Sequence, residues 1–135
     1  MANKQEGKLR VAVIGTGNMG RNHVRNYFML PESELVAIAD VNPEAKSLAD
    51  DYKVKFFTDY KEMLEKARPD AVSVVVPTPF HLEVATEVMS RGIHCMLEKP
   101  IASSVEEADK LITCAKKNNV TFTVGHIERF NPVIK

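Results

Sequence analysis

The chain predicts an α/β fold, a doubly wound and mostly parallel sheet of about six strands with helices on both faces. Three observations predict it. Short apolar runs recur along the 135 residues, amphipathic stretches with readable starts lie between them, and a glycine-rich turn follows the first run. Such alternation is what right-handed crossovers between parallel strands require.

Residues 11–14, 35–39, 71–76, 93–97 and 120–124 are the clearest strands, and four of them are rich in β-branched residues, as strands buried on both faces should be. Residues 55–57 form a shorter and weaker candidate, suited to an edge. Between them, Asn42-Pro43 supplies a cap followed by a first-turn proline. Asp59 with Glu62, and Ser104 with Glu107, have capping-box spacing. Their apolar stripes are Ala45, Leu48, Ala49 and Tyr52, then Tyr60, Met63, Leu64 and Ala67, then Val105, Ala108, Leu111, Ile112 and Ala115. Gly92 closes a further helix over residues 82–91, where a left-handed residue is wanted.

The first turn reads Gly15-Thr16-Gly17-Asn18-Met19-Gly20, and Asp40 ends the second strand twenty residues after the last glycine. In this context Gly15 makes the tight turn, Gly17 admits a pyrophosphate and Gly20 lets the helix pack against the strand. The helix then opens with unpaired N–H groups directed at the phosphates. Asp40 suits adenosine ribose hydroxyls and repels a 2′-phosphate, and Val41, Asn42 and Pro43 bring no arginine. NAD is therefore expected, NADP less so, with Lys46 as the nearest cation.

Lysine plus arginine and aspartate plus glutamate each total 18, so the formal net charge is zero and no basic stripe suggests nucleic acid or an anionic membrane. The expected ligand is a small molecule. Residues 1–10 are polar and no apolar run reaches membrane-spanning length, so a soluble cytoplasmic protein is expected. Cys95 and Cys114 have no metal or redox spacing and read as buried or incidental thiols; no metal site is expected.

In such a sheet the ligand lies across the carboxyl ends of the strands. The fourth ends in Pro77-Thr78-Pro79-Phe80-His81, where the prolines stiffen a loop on the cofactor side and Thr78 is a candidate ligand. His81 reads more readily as fixing a helix start than as a catalyst, and His23 and His94 read as structural. The fifth ends in Glu98-Lys99-Pro100. A lysine there can hydrogen-bond a substrate hydroxyl and exchange its proton, and the proline permits a cis bond that aims it. Glu98 either pairs with Lys99 or satisfies backbone donors. The sixth ends in a polar cluster, Gly125-His126-Ile127-Glu128-Arg129-Phe130-Asn131-Pro132, suited to the wall of a substrate site.

The glycine turn, Thr78-Pro79 with His81, Glu98-Lys99-Pro100 and the segment from Arg129 to Pro132 together resemble the glucose-fructose oxidoreductase, inositol dehydrogenase and rhizopine-catabolism family (Gfo/Idh/MocA). The resemblance implies an NAD-binding Rossmann domain over residues 1–126 and, over 127–135, the start of a crossover to a substrate domain. It implies an NAD-dependent dehydrogenase acting on a CH–OH group of a sugar, nucleotide sugar or cyclitol, homo-oligomeric at full length. It assigns Lys99 to catalysis; Pro77, Thr78, Pro79, His81, Glu98, Lys99, Pro100 and Arg129 to the cofactor side; and Lys99, His126, Arg129 and Asn131 to the substrate. The polar cluster from Gly125 is similar to the subgroup that oxidises the 3-hydroxyl of UDP-N-acetylglucosamine or its uronate. These 135 residues alone are expected to bind NAD without efficient turnover. Two other classes compete. An NAD-binding sensor or scaffold has no need of Lys99, and an S-adenosylmethionine-dependent methyltransferase typically lacks both the sixth-residue glycine and the Glu-Lys-Pro element.

Overall fold

In the computed structural model, which describes residues 7–125, six strands form one sheet: β1 (Leu9–Ile14), β2 (Ser33–Ala39), β3 (Lys55–Phe57), β4 (Ala71–Val74), β5 (His94–Glu98) and β6 (Phe122–Gly125). All five pairings are parallel, in the order β3-β2-β1-β4-β5-β6. The weak strand β3 is an edge, as its length predicts. Five helices connect the strands: α1 (Asn18–Met29), α2 (Lys46–Tyr52), α3 (Tyr60–Ala67), α4 (His81–Ser90) and α5 (Val105–Lys117).

The core is two layers, one on each face of the sheet. Val11, Val13, Leu35 and Ile38 pack with Val24 of α1 and with Leu48 and Ala49 of α2. On the opposite face Ala12, Ile14, Val72, Val74, Cys95 and Leu97 meet Met63 of α3, Val84 and Val88 of α4, and Leu111 of α5. Leu35 and Ile38 share a face although three residues apart. The β1–β2 register steps from Val11↔Leu35 to Ala12↔Ala37, which leaves Val36 as an extra residue and resets the alternation. Burial pushes the Cys95 thiol up to about 12, in keeping with a thiol that packs rather than reacts.

The element ends differ from the sequence expectations for local reasons. Strand β4 stops at Val74 rather than residue 76. Val75 N–H still bonds Ile14 O, but Pro77 has no N–H, and a 3-10 turn over Thr78–Phe80 follows. Strand β6 starts at Phe122 rather than 120 because Val120 N–H closes the end of α5 on Ala115 O, after Asn119 at φ +53°. Asn42 caps a 3-10 turn, Pro43–Ala45, so α2 proper begins only at Lys46. Asp59 and Ser104 cap α3 and α5 through the N–H groups of Lys61 and Glu107. Gly92, at φ +76°, follows α4 as expected. Among the described residues no helix is long and apolar enough to cross a membrane.

Candidate cofactor and catalytic site

Register assembles the site. Ile14 of β1 pairs with Ala39 of β2 on one side and Val74 of β4 on the other, and Val74 pairs with Leu97 of β5. The loops opening at Gly15, Asp40, Val75 and Lys99 therefore leave from one edge of the sheet. A cleft of about 630 Å³ lies there, lined by Gly15, Thr16, Gly17, Met19, Asp40 and Pro77 among the expected residues. Ile14, Ala39, Val41, Thr58, Tyr60, Val75, Val76, Phe80, Glu83 and Val84 complete it and were not among the expected site residues. Their signal was positional, since they lie at strand ends or within or shortly beyond strand-end loops and carry no distinctive chemistry.

The cradle fits a dinucleotide phosphate. Gly15 sits at φ +94°, and a Cβ there would stand 2.3 Å from Val75 O. A Cβ on Gly20 would stand 2.0 Å from Gly15 O, so α1 can approach the turn only because residue 20 has no side chain. A Cβ on Gly17 would meet no protein atom within 4 Å, which leaves open the space that a phosphate needs. Asn18 opens α1, whose first turn has no side-chain cap. Its N–H groups are thus available to an anion.

Asp40 is held in place by the turn it serves. Its Oδ2 accepts from Thr16 N–H at 2.9 Å and from Thr16 Oγ1–H at 2.6 Å, and its Oδ1 accepts from Asn42 N–H at 2.9 Å. Burial acts to raise its pKa, yet the hydrogen bonds from Thr16 and Asn42 together hold the carboxyl below its ordinary value. A carboxyl so lowered stabilises the fold above its unfolded pKa of about 3.9 and loses that contribution as pH falls through the lower folded value. Asp40→Asn should therefore melt below the wild type at pH 7, with the gap narrowing as the pH falls below that unfolded value. A gap that is constant across this range in thermal melts would show that the charge on Asp40 is irrelevant to stability.

The remaining expected residues divide. Thr78 and Pro79 stand in the 3-10 turn beside the cleft without lining it. His81, expected on the cofactor side, is 1% exposed, with Nε2 at 2.9 Å from Val76 O and Nδ1 at 3.3 Å from Ile101 O. It ties the loop after β4 to the loop after β5. Glu98 is also buried and turned toward α1 rather than to the cleft. Lys99 and Pro100 are exposed just beyond β5, joined by a cis peptide. His126, Arg129 and Asn131 lie outside the described residues.

Sequence reasoning missed the partner of Glu98. His23 Nε2 lies 3.0 Å from Glu98 Oε1, His23 Nδ1 lies 3.0 Å from Ser73 Oγ, and Ser73 Oγ lies 2.5 Å from the Tyr27 hydroxyl. The signal was helical spacing. Gly20, His23, Val24 and Tyr27 share one face of α1, and a histidine on a core-facing stripe needs a polar partner.

A family model described as the oxidoreductase family with an NAD-binding Rossmann fold matches residues 9–126. The chain belongs to this family. It is 38% identical over 128 residues to UDP-N-acetylglucosamine 3-dehydrogenase of Acidithiobacillus ferrooxidans, covering 94% of this chain and 40% of that protein. It superimposes with a TM-score of 0.89 and 28% identity on the WlbA dehydrogenase of Bordetella pertussis in complex with NADH and UDP-GlcNAcA, covering 94% of this chain and 39% of that one. The scyllo-inositol dehydrogenase of Lactobacillus casei with bound NAD(H) and scyllo-inositol gives a TM-score of 0.87 at 26% identity, covering 93% and 38%. The chain thus spans about two fifths of the length of these relatives.

Proposed function

We propose that this chain is the cofactor domain of an NAD-dependent dehydrogenase that oxidises a CH–OH group of a sugar, cyclitol or nucleotide sugar. The observation that carries the reading is Lys99, exposed at the same sheet edge as the cofactor cleft, which a domain that only senses or stores NAD does not need. NAD, when bound, supplies the hydride acceptor. The protein's part is to hold the pyrophosphate on the turn from Gly15 to Gly20, to hold the ribose hydroxyls at Asp40, and to take the proton from the substrate hydroxyl at Lys99 Nζ. In this reading residues 127–135 belong to the crossover to a substrate domain, and His126, Arg129 and Asn131 are assigned to the substrate. The likeness to a UDP-N-acetylglucosamine 3-dehydrogenase favours a nucleotide sugar with its 3-hydroxyl as the reacting group. The complete enzyme is read as a homo-oligomer of the cytoplasm.

Preference for NAD over NADP has its own support. Two carboxylates, Asp40 and Glu83, line the cleft and no described lysine or arginine does. Lys46 is turned away, with Nζ 3.1 Å from both oxygens of Asp50. A 2′-phosphate would meet negative charge without compensation, at a cost of about 1–2 kcal/mol, or about five- to thirtyfold in affinity. Calorimetric titration of the chain with NAD and NADP tests this, and equal dissociation constants would refute it. Titration with S-adenosylmethionine in parallel tests the competing methyltransferase class.

A further inference from the structure

Lys99 is exposed, and the residue before it is a carboxylate that is not exposed. Two oppositely charged neighbours at the mouth of a cleft would ordinarily pair, and a paired ammonium is a poor proton acceptor. Here they do not pair. Glu98 Oε1 is joined to His23 Nε2 at 3.0 Å, and the only bond between Glu98 and Lys99 is from the lysine backbone N–H to Oε2 at 3.3 Å.

The arrangement is built on both sides. From α1, His23 Nε2–H donates to the ionised Glu98 carboxylate at 3.0 Å, and Ser73 Oγ lies 3.0 Å from His23 Nδ1 and 2.5 Å from the Tyr27 hydroxyl, which also reaches Met96 Sδ at 4.0 Å. Burial raises the Tyr27 phenol above its ordinary pKa and keeps it protonated. Ser73 is fully buried, so its hydroxyl has these two partners in place of water. From β6, Gly125 pairs with Glu98, and a Cβ at that position would stand 2.9 Å from Glu98 Oε1. The missing side chain leaves the room that the carboxylate occupies.

We propose that His23 is a positioning residue for Lys99: it holds the Glu98 carboxylate against α1 and so prevents it from pairing with the lysine ammonium. This rests on reading Lys99 as the proton-handling group. Ser73 and Tyr27 anchor the His23 ring on its other nitrogen, and Gly125 keeps the carboxylate's place clear.

The test uses the full chain and acetylation of its lysines by a water-soluble acyl ester at pH 8, each site followed by mass spectrometry. Lys61 and Lys110, both exposed, are the internal references. His23→Leu frees Glu98, which then captures Lys99, and the Lys99 rate falls about tenfold relative to the references, as one surface ion pair can produce. The double variant His23→Leu with Glu98→Gln restores it to within about twofold of wild type by removing that charge. His23→Gln, whose amide can still donate to the carboxylate, keeps most of the rate. An unchanged Lys99 rate in a folded His23→Leu chain, or a double variant as slow as the single one, would overturn the proposal. Should His23→Leu not fold, Glu98→Gln alone decides. An acceleration of about tenfold would show the carboxylate already on Lys99 and overturn the proposal, whereas a change of less than about threefold supports it. Acetylation reads the amine whether or not the enzyme turns over, so this result and a failed dehydrogenase assay are separable.

Discussion

Lys99→Ala, in an enzyme that carries this domain together with its substrate domain, should lower turnover about a hundredfold or more, the usual scale for removing a positioned acid-base group. The melting temperature should barely move. Lys99 is exposed and lies beyond the last residue of β5, so its truncation opens no cavity and leaves the sheet pairing intact. NAD affinity measured on the chain should also change little, because Lys99 does not line the cleft formed by the glycine turn and Asp40. Steady-state kinetics with saturating NAD is the measurement. Near-normal turnover would make Lys99 an ordinary surface residue and would remove the main reason to prefer a dehydrogenase over a sensor.

Gly20→Ala should be a severely damaging single-methyl change in the cofactor turn. The added Cβ meets Gly15 O at 2.0 Å, and backbone cannot rotate away as a flexible side chain would. Either α1 lifts from β1, loosening Val24 from its packing against the sheet, or the turn moves and carries Gly15 and Thr16 with it. Overpacking of this kind costs about 3 kcal/mol. For a domain of this size that is about 10 °C in melting temperature. NAD binding should weaken more than tenfold in the same variant, because the N–H groups of α1 no longer converge on one point. A folded Gly20→Ala chain with wild-type NAD affinity would mean that the helix approaches the turn less closely than described.

What the sequence disclosed is what is written locally. The glycine spacing, the apolar runs, the caps at Asn42, Asp59 and Ser104, and the left-handed Gly92 each depend on a few neighbouring residues, and each has its expected counterpart in the fold. Strand ends were less legible. Val75, Val76 and Val120 have strand chemistry, but Pro77 and the closing turn of α5 direct their backbone elsewhere. Least legible were long-range polar pairs. His23 and Glu98 are 75 positions apart, and neither residue type at its own position indicates that a side chain of α1 reaches the end of β5. His81 shows the same limit, since only the folded chain brings Ile101 O within reach of its ring.

The central place of β1 has a thermodynamic consequence. Strand β1 pairs with β2 on one side and, across about sixty intervening residues, with β4 on the other, so the two halves of the sheet join only through it. The cleft straddles that seam: Gly15 and Thr16 come from its middle, Asp40 and Thr58 from one half, Pro77 and Glu83 from the other. A dinucleotide bound there contacts both halves at once and has no comparable site in a chain whose halves have parted. Cofactor binding and closure of the sheet are therefore linked equilibria, and at a hundred times its dissociation constant the ligand adds about 2.7 kcal/mol to the free energy of unfolding. A mutation that loosens the β1–β4 seam will register first as lost cofactor affinity, and bound dinucleotide will raise the melting temperature of the domain.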